Sequence, residues 1–470
     1  MRYALIDNST LTGIQRLLGH IPIKNTLVVD MDILCLESLL EAILFYDEIF
    51  VIDDYKSEFR ESRKQSFPFL TFLPAEVLPL PELIAQTKNF TESIVPRVEG
   101  GQFTDQNFQP FFNLLRMNVT FTWDMTSSIY FLTQKMLAGM GGVDLQKYSQ
   151  LSTAIYDELV DRNRAAEKNI DENKIVLVDS RGNLIDNNYE VFDSEGRASV
   201  PQLSRQAQAF FAGLNWLAFR TIFYTVTARS FELDLFLHPI RHAFQANFIP
   251  KLFKGDTDVF RPLLDAMNDV ANNSINKILA DTQPFVTKQT IPIFVTWLAT
   301  RTHDPERFLE VAFELRNEKP LVEARKRLID LESTVAQGTF TAAGNKLLHE
   351  VESAMESIVS KYSANTAQGV SLSSFIALWN LSTTLSGLPK LPDSKVRVPQ
   401  LEFIKHVLPA NGFKALYRSL VSDLVQISRL GKYHEIITSK INLDADSSAF
   451  LAKQEQAIFR RAKSGWKIPM

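Results

Sequence analysis

Short apolar runs alternate with more polar segments over the first 75 residues of the chain. Four runs are apolar or β-branched and end at polar turns, which predicts buried strands at Arg2–Asp7, Thr26–Val29, Ile49–Ile52 and Leu70–Leu73. The segments between them have the spacing of helices: Thr12–Leu18, residues 33–46 and Lys56–Ser66. Strands that alternate with helices predict a small parallel sheet of α/β character.

Beyond residue 104 the apolar positions recur at spacings of three and four, which predicts helices almost to the end of the chain. The exception is Lys174–Phe192, where β-branched residues surround a Gly-Asn turn and predict a hairpin. After this segment, helices resume at about Gln202 and continue past Leu235. Prolines cluster in residues 74–110 and 386–399 and indicate connectors.

The predicted fold is therefore α+β and mostly α, with a small N-terminal parallel α/β domain followed by a large helical body. We predict three parts: an α/β domain with a proline-rich connector over residues 1–103, a helical domain over 104–385 with a hairpin near 174–192, and a basic helical segment over 386–470.

Composition places the chain among ordinary globular proteins. Of its 470 residues, 45% are hydrophobic and 22% are charged, which excludes a disordered or collagen-like chain. The single cysteine, Cys35, excludes a disulfide framework and a cysteine-based zinc site. The N-terminus lacks the apolar core of a signal peptide, and charged residues interrupt the longest apolar stretches. We therefore expect a cytoplasmic protein with no membrane association.

Charge is distributed unevenly along the chain. The formal net charge is −4, but residues 1–110 carry −7 and residues 390–470 carry +7. An acidic beginning and a basic end fit a cation site at one end and a surface for a polyanion at the other. Alternatively, the two ends pack on each other or on a second subunit.

Carboxylates gather around the predicted sheet. Glu37 and Glu41 are four residues apart and share one face of the helix at 33–46, while Asp7 and Asp53 follow predicted strands. Because the carboxyl ends of parallel strands meet at one edge of a sheet, these acids are candidate ligands of Mg²⁺ or Mn²⁺. Such ions activate water and stabilise phosphodiester displacement. The alternative is that Asp serves as a turn residue and the glutamates form a solvated stripe.

Residues 1–75 resemble the PIN-like nuclease fold. The resemblance rests on a first strand ending in Asp7-Asn8-Ser9 and on a strand, TLVVD, that runs into the acid-bearing helix LCLESLLEAI. It implies that Asp7, Glu37, Glu41 and Asp53 are catalytic and that Asp7, Glu41 and Asp53 bind Mg²⁺ or Mn²⁺. It also implies cleavage of RNA or DNA, often in toxins and antiviral defence systems.

Arginines and aromatic rings are interleaved in residues 209–248, and the last residues are basic. Rings and arginines together can stack on unpaired bases and bind phosphate, which makes Arg220, Arg460, Arg461 and Lys463 candidate ligands of RNA or single-stranded DNA. The alternative is a core helix whose arginines pair with acids. Apolar neighbours leave Arg220 little water, so it requires a carboxylate, a cluster of carbonyls or a ligand phosphate.

The sequence thus supports two hypotheses of different classes. The first is a metal-dependent phosphodiester hydrolase of PIN-like type, an RNase or DNase whose helical body recognises a substrate or partner. The second is a non-enzymatic helical adaptor or regulatory subunit that binds a protein partner or a second copy of itself.

Overall fold

The structure is a computed structural model, and it describes the following parts of the chain: residues 2–93, 145–166, 177–178, 184–185, 201–248, 260–282, 292–335, 340–366, 413–424 and 430–443. The predicted boundaries near residues 103 and 385 lie outside these parts, as do Arg460, Arg461 and Lys463. The predicted fold class is confirmed, because the chain is mainly helical with a small parallel sheet built from its N-terminal part.

The N-terminal unit alternates strands and helices. Its elements are β1 (Tyr3–Ile6), α1 (Asn8–Leu17), α2 (Val29–Phe45), β2 (Glu48–Asp53), α3 (Ser57–Ser66), β3 (Thr71–Pro74) and α4 (Leu80–Ser93). Helix α1 begins four residues before the predicted start because the Asp7 carboxylate accepts the Thr10 N–H at 2.8 Å and caps the first turn.

The prediction of a strand at Thr26–Val29 is wrong. Thr26–Val28 is a 3₁₀ turn that leads directly into α2. The side chain of Asn25 accepts the N–H of Leu27 at 3.0 Å, and this local cap favours a helical turn over an extended one. A β-branched run of this length does not distinguish a strand from the first turn of a helix.

Besides short 3₁₀ turns, the remaining described elements are two short strands, one further strand of the sheet and ten α-helices. They are α5 (Leu145–Arg164), β4 (Leu177–Val178), β5 (Leu184–Ile185), α6 (Pro201–Ser230), β6 (Asp234–Phe236), α7 (Pro239–Phe248), α8 (Phe260–Thr282), α9 (Ile293–Arg301), α10 (Phe308–Leu315), α11 (Lys319–Val335), α12 (Phe340–Thr366), α13 (Phe413–Leu424) and α14 (Leu430–Ile437). Strands β4 and β5 pair antiparallel within the predicted hairpin.

The sheet has the order β3-β2-β1-β6, and every pair is parallel. The chain moves from β1 to β2 and β3 on one side, and reaches the other side of β1 only at β6, where Ile6 is opposite Phe236. The prediction that helices continue past Leu235 is therefore wrong at Asp234–Phe236, which form the strand β6. Helix α6 ends at Ser230, and Glu232 has φ 53°, a left-handed conformation that breaks the helix before β6.

Helix α2 joins the sheet to the helical body. It is apolar nearly all round, and Leu39, Leu40, Ile43 and Leu44 are each fully buried. It packs on α1 on one side and on α9, α10 and α11 on another. One apolar core therefore runs from the sheet into the body. Among the helices in the described ranges, none combines the length and the hydropathy needed to cross a membrane.

Candidate functional site

The carboxyl ends of β1 and β6 form the point at which the strand order reverses. In open α/β sheets, ligands bind in the crevice outside the strands at this point. Here the two strands remain paired to their ends, since the N–H of Asp7 donates to the carbonyl oxygen of Phe236 at 3.1 Å. Asp7 and His238 therefore lie side by side at the position where sequence and topology predict a site.

Asp7 is fully buried and accepts hydrogen bonds from three donors. Its Oδ1 accepts the N–H of Thr10 at 2.8 Å. Its Oδ2 accepts the backbone N–H of His238 at 3.1 Å and Nη1 of Arg241 at 3.2 Å. Asp7 thus fixes the start of α1 against the end of β6, and both of its oxygens are already engaged.

Arg241 occupies the centre of an acidic cluster formed by Asp7, Glu158 and Asp161. Its guanidinium makes a two-pronged pair with Glu158, at 2.8 and 2.6 Å, and reaches Oδ2 of Asp161 at 2.7 Å. The side chain is 0% exposed. Burial acts to lower the pKa of Arg241, but the three carboxylates outweigh it and hold that pKa well above its ordinary value. The cluster therefore has its own permanent cation.

Arg16 forms a second buried junction, with Asp32 and Asp157. It contacts both oxygens of Asp32 at 2.8 and 2.5 Å and both oxygens of Asp157 at 2.9 and 2.8 Å. The two-pronged pair with Asp32 fixes orientation as well as charge, whereas both contacts with Asp157 come from Nη1. Through them α1, α2 and α5 are held together at the same edge of the sheet.

Arg220 closes the edge on the side of β2. It contacts Asp54 at 2.5 Å and donates to the hydroxyl of Tyr224 at 3.0 Å, and its guanidinium lies 4.8 Å from the centre of that ring. The side chain is 4% exposed. Of the partners that the sequence allowed for this buried guanidinium, the structure supplies the carboxylate. Asn8 joins the same group, because its Nδ2 donates to Asp54 at 2.9 Å.

Asp53 has partners different from those of its neighbour Asp54. Lys64 Nζ lies 3.2 Å and Arg60 Nε 3.5 Å from its carboxylate, and both bases belong to α3. Successive residues of a strand point to opposite faces of a sheet, which explains why Asp53 and Asp54 enter separate ion pairs.

Glu37 and Glu41 connect α2 to the helical body. The carboxylate of Glu37 accepts the backbone N–H groups of Phe294 and Val295, at 2.9 and 2.8 Å, and so caps the first turn of α9. Glu41 accepts Nδ2 of Asn268 at 2.7 Å, and Asn268 in turn accepts the hydroxyl of Tyr417 at 2.7 Å.

The structure therefore does not bring the predicted metal ligands to one ion. Asp7 belongs to the cluster of Arg241, Asp53 to the ion pairs of α3, and Glu37 and Glu41 to the contacts of α2 with α9 and α8. Each set of contacts holds its carboxylate in a different part of the structure. The residues do not fit a shared Mg²⁺ or Mn²⁺ ion held by Asp7, Glu41 and Asp53.

Burial raises the pKa of Glu37 to about 7, although the N–H groups of α9 act in the opposite direction. Its folded pKa thus lies above the ordinary value of 4.5, so the stability from its protonation is present below pH 4.5 and is lost as the pH rises to 7. In the wild type we expect the free energy of unfolding to fall by at most about 3 kcal/mol over this pH range because of Glu37. In Glu37→Gln this contribution to the fall should be absent. Urea denaturation of both proteins at pH 4.5, 6 and 8 measures this, and a difference between them that does not change with pH would contradict it.

Sequence analysis missed the acids of α5. Asp157, Glu158 and Asp161 supply three of the ion pairs at the sheet edge, and the only local signal is their spacing of three and four on a predicted helix. The spacing does not say which arginine they meet, because Arg241 lies 80 residues beyond Asp161. Comparisons with protein-family models, with curated proteins and with solved structures found no match to this chain.

Proposed function

We propose that this chain is a non-enzymatic adaptor or regulatory subunit whose α/β unit is a structural core and whose helical body binds a protein partner. One observation carries the proposal. The three carboxylates that gather at the reversal point of the sheet share one cation, Arg241, a guanidinium of the chain itself. A cation that cannot leave or exchange water provides no Lewis acid and no activated water.

Closure of the sheet edge supports the same proposal. A reaction site needs room for substrate beside its catalytic groups. Here α5, α6 and α7 lie across the edge, and their side chains at Glu158, Arg220 and Arg241 are each less than one-twentieth exposed. Breaking buried ion pairs of this kind is strongly unfavourable, so the network holds one arrangement of helices over the sheet.

A metal-dependent nuclease acting on RNA or single-stranded DNA is the competing hypothesis. It is favoured by the position of Asp7 at the reversal point of a parallel sheet. The two hypotheses differ in one measurable property, because only the nuclease requires that a divalent ion reach the acids.

A cleavage assay separates the two. The full-length chain is incubated with single-stranded RNA and with single-stranded DNA, in Mg²⁺ and in Mn²⁺, beside an Asp7→Asn control. We expect no cleavage by either protein and a lower melting temperature for Asp7→Asn, because the amide replaces an acceptor of three N–H donors. Metal-dependent cleavage that Asp7→Asn abolishes, at a temperature where both proteins are folded, would overturn the proposal.

A second measurement tests the binding of a partner. The tagged chain is purified from its own cells and analysed by size-exclusion chromatography with light scattering. We expect a stoichiometric complex with a mass above the 53.4 kDa of one chain. A chain that elutes as a bare monomer from freshly lysed cells at physiological salt would contradict an adaptor role.

A further inference from the structure

Three side chains with different donor atoms meet beneath α1. A carboxylate oxygen of Asp32, the Sγ of Cys35 and a ring nitrogen of His238 all lie within 4.8 Å of one another, and all three residues are buried. Asp32 and Cys35 are three residues apart on α2 and share a face. His238 follows β6 at the edge of the sheet, and its backbone N–H is held by Asp7.

The imidazole of His238 has no hydrogen-bond partner among the described residues. The residue is 3% exposed, and neither Nδ1 nor Nε2 meets a donor or an acceptor. A buried polar group without a partner is rare and requires an explanation.

Gly13 makes the close approach of α1 and α2 possible. A Cβ at this position would lie 2.8 Å from Oδ1 of Asp32 and 2.9 Å from Sγ of Cys35. One turn later on α1, Arg16 donates to both oxygens of Asp32. A partner of this kind orients a ligating carboxylate, as the outer residues of metal sites do.

We propose that Asp32, Cys35 and His238 bind a zinc ion that links the end of β6 to α2. Thiolate, imidazole and carboxylate donors together suit zinc and not Mg²⁺. Tetrahedral zinc requires its ligand atoms about 3.3–3.8 Å apart, so small inward movements from the present positions suffice. On binding, the Cys35 thiol releases its proton to solvent and the sulfur binds as thiolate.

The site escapes sequence analysis because its ligands are of three types and far apart. One cysteine excludes a zinc site built from cysteines, but it does not exclude a mixed site completed by a histidine. His238 reaches Cys35 only because β6 pairs with β1, which is a contact between distant parts of the chain. This proposal is independent of the proposed function, since a buried zinc ion stabilises the fold whether or not the chain is an enzyme.

Metal content and cobalt spectroscopy test the site. The full-length chain is expressed in zinc-supplemented medium, and a second sample is refolded with Co²⁺. We expect about one zinc ion per folded chain and, in the cobalt form, the sulfur-to-cobalt charge-transfer absorption. Because Cys35 is the only cysteine of the chain, this absorption reports on one residue. Cys35→Ser should abolish it, and His238→Gln should weaken cobalt binding at least tenfold.

The matched control is His242→Gln on α7, four residues further along the chain, where the ring is 34% exposed and lies 3.6 Å from Asp265. This variant should keep the absorption and the zinc. A folded wild-type chain that holds no zinc and shows no charge-transfer absorption with Co²⁺ would overturn the proposal. Equal absorption in wild type and folded His238→Gln would also overturn it, because the histidine would then not be a ligand.

A chelator experiment covers the case in which the variants do not fold. The wild-type chain is treated with EDTA, and its melting temperature and the reactivity of Cys35 toward a thiol reagent are measured. We expect a lower melting temperature and faster modification after metal removal. Unchanged values for both would count against the zinc site.

Discussion

Replacement of Arg241 by alanine is expected to lower the free energy of unfolding by at least about 3–5 kcal/mol, which is the range for removing one partner of a buried ion pair. The variant would leave Asp7, Glu158 and Asp161 without their shared cation. In the variant, Oδ2 of Asp161 keeps one hydrogen-bond donor, since Trp216 Nε1 donates to it at 2.8 Å. Urea denaturation followed by far-UV circular dichroism measures the change.

The control is Arg307→Ala, which removes an exposed guanidinium from its pair with Glu310. Here we expect no measurable change, because exposed pairs contribute little. If unpaired carboxylates cause the loss in Arg241→Ala, protonating them recovers part of it, so the defect should be smaller at pH 5 than at pH 8. A loss below about 1 kcal/mol, or one that does not depend on pH, would show that Arg241 does not stabilise the acids.

Arg241→Lys tests the geometry of the cluster and not only its charge. Lysine keeps the positive charge but presents a single ammonium in place of a planar fork. It cannot reproduce the two-pronged contact with Glu158 while it also reaches Asp7 and Asp161. We expect its stability to lie between those of the wild type and Arg241→Ala.

Three of the four strands of the sheet are predicted well from the sequence. Strands β1, β2 and β3 agree with the predicted strands to within one or two residues, because each is an apolar run bounded by polar residues. Strand β6 is missed because it has three residues and its partner, β1, is about 230 residues away along the chain. Its position depends on a pairing that leaves no local pattern.

In the candidate site, too, the sequence predicts what depends on local structure and misses what depends on tertiary packing. Asp7 is correctly expected at the carboxyl end of the first strand, since a strand end is a local property. The side chain that meets it, Arg241, follows from tertiary packing, as does the contact of Glu37 with the amide groups of α9. Sequence reasoning thus finds acids near a sheet but cannot choose between a metal ion, an arginine and a helix N-terminus as their partner.

The helices that carry the ion network are held in register by a close contact at Gly213. A Cβ built on Gly213 of α6 would overlap the backbone carbonyl oxygen of Ile155 on α5, and would lie 3.2 Å from both its carbonyl carbon and its Cγ2. Ile155 is two residues before Asp157 and three before Glu158, and Gly213 is three residues before Trp216. A separation of α5 from α6 therefore also breaks the hydrogen bond from Trp216 Nε1 to Asp161.

We expect Gly213→Ala to lower the free energy of unfolding by about 3 kcal/mol, as overpacking against an immovable backbone does. The sign of this change is the critical test, because alanine in place of glycine within a helix otherwise raises the free energy of unfolding by about 0.5–1 kcal/mol. Glu61→Ala serves as the control on a helix surface, where the side chain is 70% exposed and we expect a change within about 0.5 kcal/mol. Thermal and urea denaturation measure both variants. A stabilised Gly213→Ala would show that α5 and α6 do not touch at this point. In that case this contact would not be what holds the acids of α5 over the sheet.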